Sequence, residues 1–223
     1  MQPIRVIWAS PNDVHVVVPE GTVIACYHSL RDAEIPGVQE AVPGSNTVQV
    51  RLEPALDHSR SLDLVRSAVS GVVHEPATRL PRRVDIPLCS DPDLAPDLAD
   101  IARGAGLSTN DAADLHAAHE HVVRFIGFAP GFPYIDGLPE PLHTTRLETP
   151  RTRVRPGSVG IAGGRSGIYP HQMPGGWRLI GATPRRLFNP SLDEPALLAP
   201  GDRVRFRRIT RDEYDRLDEN AQR

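Results

Sequence analysis

Pro156-Gly157-Ser158-Val159-Gly160-Ile161-Ala162-Gly163-Gly164-Arg165-Ser166-Gly167-Ile168-Tyr169-Pro170 is the stretch that decides the fold. Residues 158–162 form a short apolar run with glycine on either side, which reads as a buried strand. Residues 163–170 read as a glycine-rich loop, with a plain hairpin turn the simplest account. The same punctuation extends outward. Val154 and residues 177–180, 187–188 and 204–209 are further strand candidates, each short and bounded by glycine or proline. From Gly127 onward helical spacing disappears, and this pattern predicts a closed or nearly closed β-barrel. The charged tail from Thr210 reads as a short helix or a frayed end.

Towards the N-terminus the character changes. Residues 84–88 look like the strand that opens the barrel unit. Residues 97–105 read as a helix, and Ser108 caps a second helix expected to run to about Val123. Residues 75–83 carry two prolines and three arginines without periodicity, and read as a linker. Before them, residues 4–8, 14–18, 38–42 and 47–52 read as strands. Residues 23–32 and 59–69 read as helices, the latter from Leu62, Val65, Ala68 and Val69 at helical spacing. This gives a small α+β unit, with domains expected at 1–80 and 81–223.

The 223 residues are 39% hydrophobic and 24% charged, as in ordinary globular chains. A net charge of -3 argues against generic nucleic-acid binding. No apolar stretch approaches the roughly 20 residues of a membrane span. Residues 1–10 lack a signal-peptide apolar region, so cytoplasm is the expected compartment. Cys26 and Cys89 are expected as two buried free thiols. All 25 basic residues are arginine. The absence of lysine excludes a Schiff base, a P-loop lysine, and a lysine-linked biotin or lipoyl cofactor within this chain. If ATP binds here, arginine, backbone amides or a partner must hold its phosphates.

Several segments are candidates for chemistry. Phe128-Ala129-Pro130-Gly131-Phe132-Pro133-Tyr134 places three aromatic rings around prolines and a glycine, a rigid loop that either walls a pocket or plugs the barrel. Arg151, Arg153 and Arg155 alternate and so share one face of an extended segment. Such a row meets either solvent and carboxylates of the chain or an anionic ligand, and Arg151 is the best single anion-binding candidate. Gly163 and Gly164 lie in a loop that could cradle an anion. Pro174-Gly175-Gly176-Trp177 permits close backbone approach beside a flat ring. His116 and His119 share a helix face, but no metal site is expected. His116 and His143 are the acid–base candidates.

Together these residues resemble a known family. The carriers are Phe125 through Tyr134, Gly157-Ser158-Val159-Gly160-Ile161, Tyr169-Pro170, Pro174-Gly175-Gly176-Trp177 with Leu179-Ile180-Gly181, Asp193-Glu194-Pro195, and Pro200-Gly201-Asp202. The chain is similar to the B component of 5-oxoprolinase, also called allophanate hydrolase subunit 1, a family that includes the sporulation kinase inhibitor KipI. The resemblance implies a ferredoxin-like N-terminal domain and a cyclophilin-like β-barrel C-terminal domain. It implies an ATP-dependent amidohydrolase complex that cleaves 5-oxoproline to glutamate. The partners it implies are a C component (allophanate hydrolase subunit 2-like) and a third, A component, in a hetero-oligomer. Kinase inhibition, or a carboxyltransferase-type role in urea metabolism, are the alternatives it allows. It also marks His116, Phe128, Pro130, Gly131, Phe132, Tyr134, Arg151, Gly163, Tyr169, Gly175, Gly176 and Trp177 as the expected pocket.

Overall fold

The computed structural model describes residues 4–19, 21–54, 58–70 and 81–221. The chain divides into two compact units, Met1–Pro81 and Arg82–Arg223. The linker expected over residues 75–83 lies, as far as residue 80, outside the described residues.

The first unit contains β1 (Arg5–Ser10), β2 (Asp13–Val17), α1 (Val23–Asp32), β3 (Val38–Pro43), β4 (Thr47–Leu52) and α2 (His58–Ser70). Its strands form one antiparallel sheet in the order β1-β2-β4-β3. Alternation puts Val14 and Val16 of β2, and Val48, Val50 and Leu52 of β4, on one buried face. Val23, Cys26 and Leu30 of α1, with Leu62, Val65 and Val69 of α2, cover it at helical spacing. Ser29 Oγ donates to the Ala68 carbonyl at 2.7 Å and ties the two helices together. Burial pushes the Cys26 thiol up to about 12, so it packs as a small apolar group. Cys26 and Cys89 are both free and buried.

The second unit contains β5 (Arg83–Leu88), α3 (Leu98–Gly104), α4 (Thr109–Ala118), β6 (His121–Ile126) and β7 (Pro133–Asp136). There follow β8 (Arg151–Val154), β9 (Ser158–Ala162), β10 (Arg165–Ile168), β11 (Met173–Gly175), β12 (Arg178–Ala182), β13 (Arg203–Arg208) and α5 (Arg211–Ala221). Seven strands form one sheet in the order β12-β9-β10-β7-β6-β13-β5, and β8 pairs with β11 separately. Just beyond β5, Cys89 and Ala182 at the end of β12 exchange both backbone hydrogen bonds at 2.9 Å. That bridge brings the two edges of the sheet together, giving a nearly closed barrel.

Three expectations need correction. The second helix does not reach Val123. It starts at the Ser108 cap, whose Oγ accepts from the Asp111 amide at 3.1 Å, but ends at Ala118. His119 is already extended, and buried His121 and Val123 flank exposed Val122 as a strand requires. The hairpin turn expected within 163–170 is present, but the glycine-rich loop is confined to Gly163-Gly164. Arg165 pairs with Ala162 across that two-residue turn, and Arg165–Ile168 is a full strand between β9 and β7. The strand expected at 187–188 reduces to a single bridge between Phe188 and Ala196.

Alternation along the barrel strands sorts side chains into two clusters. Ile135, Val159, Ile161, Ile168 and Ile180 pack with α3 and α4 residues such as Leu98, Ile101 and Ala112. Tyr134, Ala162, Tyr169 and Leu179 fall on the opposite faces of the same strands or their ends, with Phe132 and Trp177. The candidate chemistry divides between these two sides.

Candidate functional site

Phe132 is the centre of an aromatic wall. Its ring meets those of Tyr134 and Tyr169 edge-on at 5.2 Å, and that of Trp177 at 5.7 Å. Tyr134 also stacks on Phe125 at 4.3 Å. Edge-to-face contacts of this kind fix ring orientation as well as burying area. The wall needs glycine opposite it. A Cβ on Gly167 would lie 2.8 Å from Phe132 Cζ and 3.1 Å from Trp177 Cζ3. A Cβ on Gly175 would lie 2.6 Å from Tyr169 Cε1. Phe132, Tyr169 and Trp177 are buried, and Tyr134 is half-buried.

Phe128 lies at the rim of this wall and is 66% exposed, with its ring edge-on to Phe132 at 5.5 Å. Its φ of 67° is left-handed, a strained conformation for a residue with a Cβ. The turn is held by the Phe132 amide donating to the Ala129 carbonyl at 3.0 Å and the Gly127 amide donating to the Phe132 carbonyl at 3.1 Å. Gly131 backs onto the Phe188 side chain, and Pro130 is exposed.

Arg151 on β8 enters beside the wall. Its Nη2 donates to Asp97 Oδ1 at 2.8 Å. Asp97, immediately before α3, does not cap that helix with its side chain. Its Oδ2 instead accepts from the Leu179 amide at 2.6 Å. The Nη1 of Arg151 is buried and has no hydrogen-bond partner among the described residues. Burial raises the Tyr169 hydroxyl pKa, while the Trp177 backbone and the charges of Arg146 and Arg151 act to lower it. Those two guanidinium groups are therefore electrostatic neighbours of the phenol. The three-arginine row does not act as a unit: Arg151 is half-buried and turned to Asp97, whereas Arg153 and Arg155 are exposed.

His116 lies elsewhere. It is fully buried in the helix-covered cluster, with Nε2 2.9 Å from Ser166 Oγ and its ring 4.6 Å from Phe206 and 4.7 Å from His121. Ser166 and Gly167 are adjacent on β10, so His116 and the aromatic wall contact opposite faces of that strand. Burial lowers the His116 pKa well below the usual imidazole range, reinforced by His121 and His119. The His121 pKa is also lowered, chiefly by burial, and its Nε2 donates to the His116 carbonyl at 2.9 Å. His143 is exposed; its Nε2 donates to the Leu138 carbonyl at 3.0 Å, and its ring faces Gly164. Gly163 makes the neighbouring turn with φ 57°. No three His, Cys, Asp or Glu side chains among the described residues gather as metal ligands would.

Residues 10–198 match the family model of the carboxyltransferase domain, subdomain C and D. Over 180 residues the chain is 45% identical to the 5-oxoprolinase B component of Escherichia coli O157:H7, covering 79% of this chain and 80% of that protein. The chain belongs to the 5-oxoprolinase B-component family. It is 34% identical to the corresponding protein of Bacillus subtilis (strain 168) over 90% of this chain and 88% of that protein. The solved structure of TTHA0988 superposes with a TM-score of 0.76 at 32% identity, over 89% of this chain and 40% of that one. This chain thus spans less than half the length of that solved chain.

Within this member of the 5-oxoprolinase B-component family, the resembling runs 128–134, 169–170 and 174–177 converge on the aromatic wall. Gly176 sits at its edge beside Pro150 and Arg146. Three neighbours escape a linear reading. Asp97 reads locally as the start of a helix. Ser166 reads as part of a glycine-rich turn. Arg146 lies outside the alternating row. Only the folded barrel sets Asp97 against Arg151, 54 positions away.

Proposed function

We propose that this chain is one component of an ATP-dependent 5-oxoprolinase complex that opens a cyclic amide to an amino acid. The family relationship supports the activity. The observation that carries the site is the buried Nη1 of Arg151 beside the aromatic wall, without a hydrogen-bond partner among the described residues. A buried guanidinium nitrogen without an acceptor is unfavourable by about 1–3 kcal/mol. A carboxylate brought to that nitrogen by a shift of the side chains covering it relieves that penalty and matches the guanidinium fork. 5-Oxoproline carries one carboxylate on a flat five-membered lactam, a shape suited to a ring wall with one cation at its edge.

In this reading Asp97 orients Arg151, Arg151 holds the substrate carboxylate, and the rings of Phe132, Tyr134 and Trp177 exclude water. Arg146 and the Tyr169 hydroxyl supply further polarity at the edge. Ring opening adds one water across the amide C–N bond, and the coupled ATP hydrolysis consumes a second. The C and A components supply the remaining machinery, with Phe128 at the exposed rim facing a partner. The compartment is the cytoplasm, and among the described residues no helix is long and apolar enough to cross a membrane. Domains at 1–80 and 81–223 are the assignment, and a division into compact units at Pro81/Arg82 supports it. A ferredoxin-like assignment for the first is supported by its β2-α1-β3 crossover around β4, which gives a permuted version of that topology.

Steady-state kinetics of the reconstituted complex test the site. Arg151→Ala is expected to raise KM for 5-oxoproline by about thirtyfold or more, the equivalent of the 2–5 kcal/mol lost with one partner of a buried charged contact. Unchanged turnover and unchanged KM would refute the role of Arg151.

A further inference from the structure

A second concave feature of the barrel unit lies apart from the aromatic wall. It is a cleft of about 550 Å³ between the start of β9, the segment after β12, and α5. Arg155, Arg185, Arg186 and His171 line it, with Asp218 as the one acidic residue and Tyr214 as the one ring besides the histidine. All four basic side chains belong to exposed residues. Arg155 and Arg185 have no carboxylate within ion-pair distance among the described residues, although many other arginines of this chain are paired, as Arg82, Arg124, Arg165 and Arg208 are. Arg186 Nε donates to the Phe188 carbonyl at 3.1 Å.

Three backbone amides of the cleft are already engaged. The Gly157 amide donates to the Tyr169 carbonyl at 2.7 Å, and the Thr183 amide donates to the Gly157 carbonyl at 2.9 Å. The Arg185 amide donates to Thr183 Oγ1 at 3.2 Å. Those three amides are not free for a ligand, and the exposed guanidinium groups are its natural holders. Three guanidinium groups against one carboxylate make a locally positive cleft on a chain whose net charge is -3. Guanidinium forks match phosphate geometry, and several of them favour a multiply charged oxyanion over a single carboxylate.

We propose that this cleft binds a phosphate group, carried by free phosphate or a phosphorylated small molecule, or by a nucleotide. The inference does not rest on the assignment of Arg151 to 5-oxoproline, because Arg151 and the aromatic wall contribute no residue to the lining of this cleft.

Isothermal titration of the full chain at low ionic strength, with inorganic phosphate, ADP, ATP and acetate as separate probes, tests it. At least one phosphate probe is expected to bind more tightly than acetate. Arg155→Gln with Arg185→Gln should weaken it about tenfold or more. Much tighter binding of ATP or ADP than of inorganic phosphate identifies the nucleotide as the source. Comparable binding identifies the free phosphate group. Arg185→Lys, which keeps the charge but removes the fork, should fall between wild type and the double variant, and an unchanged far-ultraviolet circular dichroism spectrum of the double variant shows that it folds. No binding of any phosphate probe, or equal binding by the double variant, overturns the proposal.

Discussion

Asp97 and Leu179 hold each other twice. The Asp97 amide donates to the Leu179 carbonyl at 3.1 Å, and the Leu179 amide donates to Asp97 Oδ2 at 2.6 Å. The second carboxylate oxygen remains for Arg151 at 2.8 Å. One buried carboxylate thus joins the start of α3, strand β12 and strand β8.

Asp97→Ala is therefore expected to destabilise the barrel unit by about 2–3 kcal/mol, since it strands a buried amide and a guanidinium group together. Urea denaturation of the purified chain measures this. Asp97→Asn retains an acceptor for the Leu179 amide but not the charge, so its loss should be smaller. A denaturation midpoint unchanged by Asp97→Ala would show that the tie carries no stability.

The glycines facing the aromatic wall make a second prediction. In Gly167→Ala the new methyl group would meet Phe132 and Trp177 inside contact distance, and those rings are already fixed by other rings. Overpacking of this kind costs about 1–3 kcal/mol. Near-ultraviolet circular dichroism of the Tyr and Trp signals should change with it, because the rings must tilt. An unaltered spectrum together with wild-type stability would show that the wall yields freely.

Much of the barrel is legible in the sequence where local pattern and final environment agree. Residues 158–162 are apolar, bounded by glycine, and become a fully buried strand. Strand β10 is illegible for a physical reason. Ser166 is there to meet His116, and Gly167 to make room for Phe132 and Trp177, so neither has the apolar or β-branched character that marks a strand. The overlong second helix has a related cause: His121, Val122 and Val123 continue an unbroken run, and only the extended backbone at His119 ends it. The aromatic loop and Arg151 stand out by composition and alternation. Asp97 does not, because its partners come from strands more than fifty positions later.

His116 and His121 make stability depend on pH. Both are held below the usual imidazole pKa by burial, so near pH 6 the unfolded chain binds protons that the folded chain refuses. Stability is therefore highest above the unfolded pKa of about 6.5 and falls as pH drops below it, by about 1.4 kcal/mol per pH unit for each histidine still neutral in the fold. Chemical denaturation between pH 8 and pH 5 checks the slope. In His116→Gln the slope should lessen by one proton. A stability that stays flat from pH 7 to pH 5 would contradict this placement of the two rings.

Phe128 combines strain with exposure, and the two can be separated by a pair of variants. Its left-handed φ of 67° disfavours any residue with a Cβ by about 1–2 kcal/mol relative to glycine. Phe128→Ala removes the ring but keeps the strain, whereas Phe128→Gly removes both. The glycine variant should therefore be more stable than the alanine variant by about 1 kcal/mol, with chain flexibility offsetting part of the gain. If the exposed ring serves an assembly, both variants should weaken binding to the proposed C component to the same extent, since both lack the aromatic contact. Thermal denaturation of the isolated chain reads the first effect, and titration with the partner reads the second. Equal stabilities of the two variants would show that the turn is unstrained. Wild-type affinity in both would show that the Phe128 ring lies outside the interface.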